Sequence, residues 1–279
     1  MPFSKATNNS VIGPKKASGN QTSLHRGDIQ SPDWIVVDKA APLLVHPTGT
    51  KVEPTLLGGL RVLLAYEVAN GARLSIVNRL DRETSGLVLV AKNRATAGEL
   101  GRAFASRRVD KEYLALVRGW PEPAAWRVEE PLRRLGEVGE SAVWVRQCVD
   151  AGGRPAATEF RVLKRFEREG ERFALLQCHP ESGRMHQIRA HLEHAGHPLV
   201  GDKIYGGDGS AYLEFIEGGW SPGLERRMLL PRHALHASRL ALQWEERRMV
   251  WRCRLPADLR AFLVGSPSVI AKPPGGPLA

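Results

Sequence analysis

Short apolar runs separated by dense polar turns dominate this chain, and in only a few places does the apolar spacing widen to the three-to-four-residue period of a helix. Asp33-Trp34-Ile35-Val36-Val37 predicts a first strand, and Leu43-Leu44-Val45 a second after a turn at Ala41-Pro42. Pro54 opens a predicted helix whose Leu56, Leu57, Leu60, Leu63, Leu64 and Val68 recur at helical spacing, with Gly71 as the stop signal. A polar turn centred on Asp81 follows, between two apolar runs short enough to be buried strands. A second helix is predicted from Ala95 to Ser106, burying Leu100 and Phe104. From Glu112 to Val117 the alternation puts Tyr113, Ala115 and Val117 on one face and Leu114 and Leu116 on the other, so both faces should be covered. Further strands are expected around Ala142 to Val149, Thr158 to Leu163, Arg172 to Cys178, Leu235 to Gln243 and Met249 to Leu255. Between them Met185, Ile188, Leu192 and Ala195 form a helical stripe that stops at Gly196 and Pro198, and a short last helix runs from Ala257 to Val264.

Many strands, few helices and no regular alternation between them predict an α+β fold around a largely antiparallel mixed sheet. No Ser/Gly-rich linker interrupts residues 30 to 265. The expected organisation is a basic tail over 1–30, one domain over 31–265 with a central cleft, and a Pro/Gly-rich tail over 266–279. The 279 residues carry 40 Lys plus Arg against 30 Asp plus Glu, a formal charge of +10, which favours polyanionic partners and salt-sensitive binding. Cys148, Cys178 and Cys253 are odd in number and far apart, so neither a disulfide framework nor a cysteine zinc site is expected, and a reducing, cytoplasmic setting follows. No apolar run reaches the roughly 20 residues of a membrane helix, and the N-terminus lacks the apolar core of a secretory signal.

Taken by itself, Asp81 is an acid in a turn, and a solvated surface loop would look the same. Three other segments change its meaning: Lys111-Glu112-Tyr113-Leu114-Ala115-Leu116-Val117-Arg118-Gly119, then Glu181 to Gly206, then Arg232-His233-Ala234-Leu235-His236-Ala237. With Asn78 to Lys92 they stand in one order, and together they resemble the RluA-type pseudouridine synthases, which isomerise uridine within ribosomal or transfer RNA. The resemblance implies the pseudouridine synthase fold, a structured rRNA or tRNA as partner, and no obligatory protein partner.

The resemblance also implies roles for individual residues. Asp81 matches the catalytic aspartate, acting as nucleophile or as the base that starts glycosidic cleavage. Tyr113 matches the active-site tyrosine, a stacking platform for uracil and a participant in the C5 proton transfer; alone it would pass for a core tyrosine. Arg189 matches the basic residue paired with that aspartate, and it borders the buried stripe through Ile188. Arg79 matches the residue that fills the gap left by an extruded nucleotide. Arg184, His186, Gln187 and Ile188 are assigned to substrate contact near the cleft. No metal or other cofactor is needed, because reactant and product are isomers. His186, His191, His194 and His197 crowd one region, but His186 and His191 are five positions apart and face different sides of a helix, so they are expected at the surface or facing RNA rather than on a metal.

Two positions depart from the family pattern. Asn78 stands where relatives commonly carry His, and Lys39-Ala40-Ala41-Pro42 replaces a Lys-Pro-Ala-Gly turn. The S4-type RNA-binding module of many relatives is not expected in the short N-terminal tail, which leaves recognition to the catalytic domain. Two rival readings stay open: a non-catalytic RNA-binding or RNA-chaperone protein on the same fold, and an acid-base hydrolase using Glu83 as a second carboxylate.

Overall fold

Strands form where apolar residues alternate, and helices where they recur every three to four positions. In chain order the first half contains β1 (Val11–Ile12), β2 (Trp34–Lys39), α1 (Leu56–Leu63), α2 (Ala65–Ala69), β3 (Ser75–Ile76), β4 (Ser85–Ala91), α3 (Arg94–Ala105), β5 (Val109–Arg118), β6 (Ala125–Val128) and β7 (Leu132–Arg134). The second half contains β8 (Gln147–Val149), β9 (Thr158–Arg168), β10 (Glu171–Pro180), α4 (Gln187–His194), α5 (Ser210–Gly218), α6 (Pro222–Met228), β11 (Leu235–Trp244), β12 (Arg247–Cys253) and α7 (Ala257–Val264). The structure is a computed structural model and describes residues 11–12, 30–47 and 54–264. The two expected tails fall almost wholly outside the described residues. The chain is α+β and divides into two compact units, Met1–Asp110 with Ala237–Arg254, and Lys111–His236 with Leu255–Ala279.

In the first unit β4 is buried at every position. It pairs antiparallel with β2, Val36 opposite Leu89, and with β3, Ile76 opposite Val90. Alternation along β2 and β4 therefore feeds two cores. Trp34, Val36, Leu87 and Leu89 pack with Leu100 of α3, Leu240 and Trp251, while Ile35, Val88 and Val90 pack with Val45, Leu60 and Leu64. The Trp34 and Trp251 rings meet edge to face at 5.1 Å. α3 starts where the Asn93 side chain accepts from the Thr96 N–H at 2.9 Å. Gly86 follows the Asp81 turn at φ +114°, and a Cβ there would lie 2.3 Å from the Ala237 carbonyl oxygen, so only glycine lets these backbones meet.

In the second unit β5 pairs with β10, β10 with β9, and β9 with β6, all antiparallel. Ala115, Val117, Phe160, Leu176 and Cys178 cover one face of that sheet and pack against Ile188 and Leu192 of α4. Leu116 and Phe173 cover the other, against Leu259 and Phe262 of α7. The expected two-sided burial of the Tyr113 strand is thus observed. β7 and β8 form a separate two-stranded ribbon.

Several predicted elements differ. The helix after Pro54 starts at Leu56, capped by the Thr55 hydroxyl, and breaks at Leu64; Leu63 is 73% exposed rather than buried. Leu43 to Val45 forms only an isolated bridge, Leu44 to Thr55. The expected strand at 142–149 is confined to Gln147–Val149: Val143 turns inward against Ile204 and Tyr205, whereas Trp144 is 70% exposed beneath the Arg134 guanidinium. Met185 precedes α4 and is exposed, so Ile188 and Leu192 carry the buried stripe.

Candidate active site

The turn bearing Asp81 is pinned at both ends. Upstream, the Val77 N–H donates to the Leu89 carbonyl at 2.9 Å. The Asn78 side chain then takes over the ladder, accepting from the Leu89 N–H at 2.8 Å and donating to the Leu87 carbonyl at 3.1 Å. A side-chain amide so continues a strand that its own backbone leaves after two residues. The Asn78 amide supplies one donor and one acceptor to this ladder, a neutral hydrogen-bonding role. Downstream, the Thr84 N–H donates to the Asp81 carbonyl at 3.1 Å, closing the turn.

Lys39 secures the turn from the side. Its ammonium is fully buried and donates to the carbonyls of Ala40, Leu43 and Arg82, at 3.1, 2.8 and 3.2 Å. The Leu43 N–H also donates to the Arg82 carbonyl at 2.9 Å. The loop at 40–43 and the residue next to Asp81 are thereby held by one cation, a charge that can be buried because oxygens surround it. Asp81 itself is half-buried. Arg79 is exposed and makes no side-chain hydrogen bond or ion pair among the described residues.

Arg189 lies in the second unit, on the first turn of α4, with only 4% of its surface exposed. Its Nε donates to Asp202 Oδ2 at 2.7 Å and its Nη2 to Asp202 Oδ1 at 2.8 Å. Asp202 Oδ1 also accepts from the Ile204 and Tyr205 backbone N–H groups, at 3.0 and 3.2 Å. Burial alone would raise this carboxyl, but the Arg189 guanidinium and these donors hold it well below the usual carboxylate range. The Arg189 guanidinium lies 4.9 Å over the Tyr205 ring. The Tyr205 hydroxyl accepts from the Gln147 N–H at 2.9 Å and lies 3.0 Å from His186 Nδ1. His186, at φ +55°, turns the chain into α4.

The other expected residues divide. Tyr113 is half-buried on β5, opposite Cys178. Arg184 is half-buried and donates through Nε to the Pro155 carbonyl at 3.3 Å. Gln187 is buried and its amide is saturated: Oε1 accepts from the Ser182 hydroxyl and the Arg184 N–H, and Nε2 donates to the Ala157 carbonyl and Thr158 hydroxyl. This amide fixes the approach to α4 and has no donor or acceptor left for substrate. Ile188, 5% exposed, belongs to the core rather than to a binding surface.

Of the four histidines expected at the surface or facing RNA, His191 is buried instead; His233 and His236, outside that group, are buried as well. His191 Nδ1 is 2.9 Å from the Thr158 hydroxyl and Nε2 is 3.0 Å from the Glu130 carbonyl, and burial pushes its pKa down. Since the carbonyl can only accept, Nε2 carries the proton and the ring is neutral. Arg232 is also buried, with Nε 2.7 Å from Asp258 Oδ2 in the first turn of α7. Its role in this fold is an anchor for the last helix.

Asp202 was missed as a functional residue, yet a signal was present. It is the one acid between Glu193 and Asp208, and an arginine on a buried helix face requires a counter-ion.

A model of the RNA pseudouridylate synthase family matches residues 33–194. The chain belongs to this family. The pseudouridylate synthase relatives include ribosomal large subunit pseudouridine synthase D of Nitrosomonas europaea, 37% identical over 82% of this chain and 61% of that protein. The protein of the same description from Yersinia pestis is 33% identical over 81% of this chain and 66% of its own length. The chain thus spans somewhat under two thirds of these relatives. Among solved structures, human RNA Pseudouridylate Synthase Domain Containing 4 superimposes with a TM-score of 0.63 at 25% identity, over 84% of this chain and 90% of that one. This pseudouridylate synthase structure bears out the α+β fold expected from the sequence. No helix among the described residues is long and apolar enough to cross a membrane.

Proposed function

We propose that this chain isomerises a specific uridine in structured RNA, ribosomal or transfer, to pseudouridine. Asp81 is the reactive carboxylate, Arg189 its cationic partner and Tyr113 the ring that stacks on uracil. In the reaction the N1–C1′ bond breaks, uracil turns within the site, C5 bonds to C1′, and the proton released from C5 is replaced by one on N1. Atoms balance without a second reactant, so binding, orientation and proton movement are all that the chain must supply.

The observation that carries this reading is the Asp81 turn. It belongs to the segment that matches the family model, and Asn78 and Lys39 hold its backbone from two sides. A carboxylate that must act at one sugar carbon benefits from such preorganisation. Arg189 suits a fixed cationic role because the Asp202 carboxylate holds the plane of its guanidinium through Nε and Nη2. Arg79, at the exposed start of the same turn, is assigned to the vacancy in the RNA stack once the uridine is everted. The non-catalytic RNA-binding reading is less favoured, since it gives the rigidity around Asp81 no purpose.

Incubation of unmodified ribosomal and transfer RNA with wild-type and Asp81→Ala protein, followed by pseudouridine mapping, tests the assignment. Wild type should modify a discrete uridine, and the variant should be slower by at least about a hundredfold, the lower end of the range for one acid-base or nucleophilic group. Equal product from both would remove Asp81 from the chemistry.

A further inference from the structure

Three arginines share one face of the β11–β12 hairpin. Residues directly opposite each other in an antiparallel pair point to the same side, and Arg239 stands opposite Arg252, Ala241 opposite Val250 and Gln243 opposite Arg248. The alternate residues Leu240, Leu242 and Trp251 fill a core, so the arginines stand on the face turned away from it. Asp110 Oδ2 lies 2.8 Å from Arg248 Nη2 and 3.8 Å from Arg239 Nη2, so two guanidiniums converge on one carboxylate oxygen. Arg248 and Arg252 are exposed.

For stability alone this arrangement is poor. Like charges directly opposed across strands are destabilising. The Nε of Arg239 is buried without a hydrogen-bond partner among the described residues, which adds a desolvation cost. β1 pairs along β12, with Ile12 opposite Arg252. Guanidinium forks match the geometry of phosphate oxygens, and three of them with Asp110 as their one described ion-pair partner leave a net positive face that suits a polyanion backbone.

We propose that the exposed Arg248 and Arg252, on the face they share with the largely buried Arg239, form a phosphate-backbone contact for the RNA, separate in sequence and in role from the residues assigned to catalysis. The proposal rests on RNA as the substrate class, but not on Asp81 as the catalytic group. Backbone contact here is read by charge and shape, so it adds affinity and orientation rather than base specificity.

The test measures binding of a transcribed large-subunit rRNA fragment across a salt series, with every protein carrying Asp81→Ala so that no turnover intervenes. Adding Arg248→Gln with Arg252→Gln should reduce the slope of log K against log salt by roughly 1.4 to 1.8, the loss of two phosphate contacts. Adding Asp110→Asn instead should tighten binding. The charge-matched pair Arg172→Gln with Arg226→Gln, at exposed positions of the second unit, should shift the slope by less than half as much. Thermal midpoints matching the parent would show that the fold is kept. An unchanged slope, equal losses from both double variants, or a loss seen with heparin and not with RNA would each overturn the proposal. Should wild type make no pseudouridine while the slope shift is found, the catalytic reading would fall and this surface would stand.

Discussion

Arg189 is a guanidinium held in one plane, and Asp202 is what holds it. Removing the charge of Asp202 breaks a buried, bidentate ion pair, which typically costs about 3–5 kcal/mol. Asp202→Asn should therefore lower stability by about that much in urea unfolding at pH 7. Asp202 is depressed in the folded state, so its contribution is full above the ordinary carboxylate range, near pH 4, and fades as pH falls through and below that range. The deficit of Asp202→Asn relative to wild type should thus shrink between pH 7 and pH 3, and a constant deficit would mean that Asp202 acts through packing alone. On the role proposed for Arg189, the variant also loses kcat while KM changes little, and Asp202→Glu recovers part of the rate. His191 adds a slope of the same sign: buried neutral, it resists the proton that the unfolded chain takes up below about pH 6.5.

Short elements here depend on side chains to complete them. β3 is two residues long, and the Asn78 amide supplies its next pair of ladder hydrogen bonds. Asn78→Ala would leave the Leu87 carbonyl and Leu89 N–H unpaired at a fully buried strand, at a cost of about 1–3 kcal/mol. It should also lower kcat by loosening the turn that carries Arg79 and Asp81. Asn78→Asp keeps the acceptor for Leu89 but repels the Leu87 carbonyl, so differential scanning calorimetry should find both variants destabilised; an Asp variant as stable as wild type would contradict the bridging role. Long strands and the capped helix α3 were legible because alternation, periodicity and an Asn cap agree there. β6, β7, α5 and α6 were not, being short and set by tertiary contacts rather than by their own pattern. The Val143 to Val145 alternation misled for the opposite reason: its period is that of a strand, but Val143 is drawn into the core beside Tyr205.

At the scale of the molecule, the order of four motifs made the family readable, and charge made a polyanionic partner the leading expectation. Spacing could not reveal which polar residues serve the fold and which face substrate. Gln187, His191 and Arg232 look like surface chemistry in the sequence, yet each is buried and bonded within the chain. Arg79, Arg248 and Arg252, by contrast, are exposed. In the proposed reaction the hydrogen on uracil C5 is lost each time C5 bonds to C1′. The most direct measurement is therefore tritium release from RNA labelled at uracil C5, incubated with wild-type, Asp81→Ala and Asp81→Asn protein. Wild type should release tritium in step with pseudouridine formed, and both variants should release none above background. Release by either variant at a rate comparable to wild type would contradict the account.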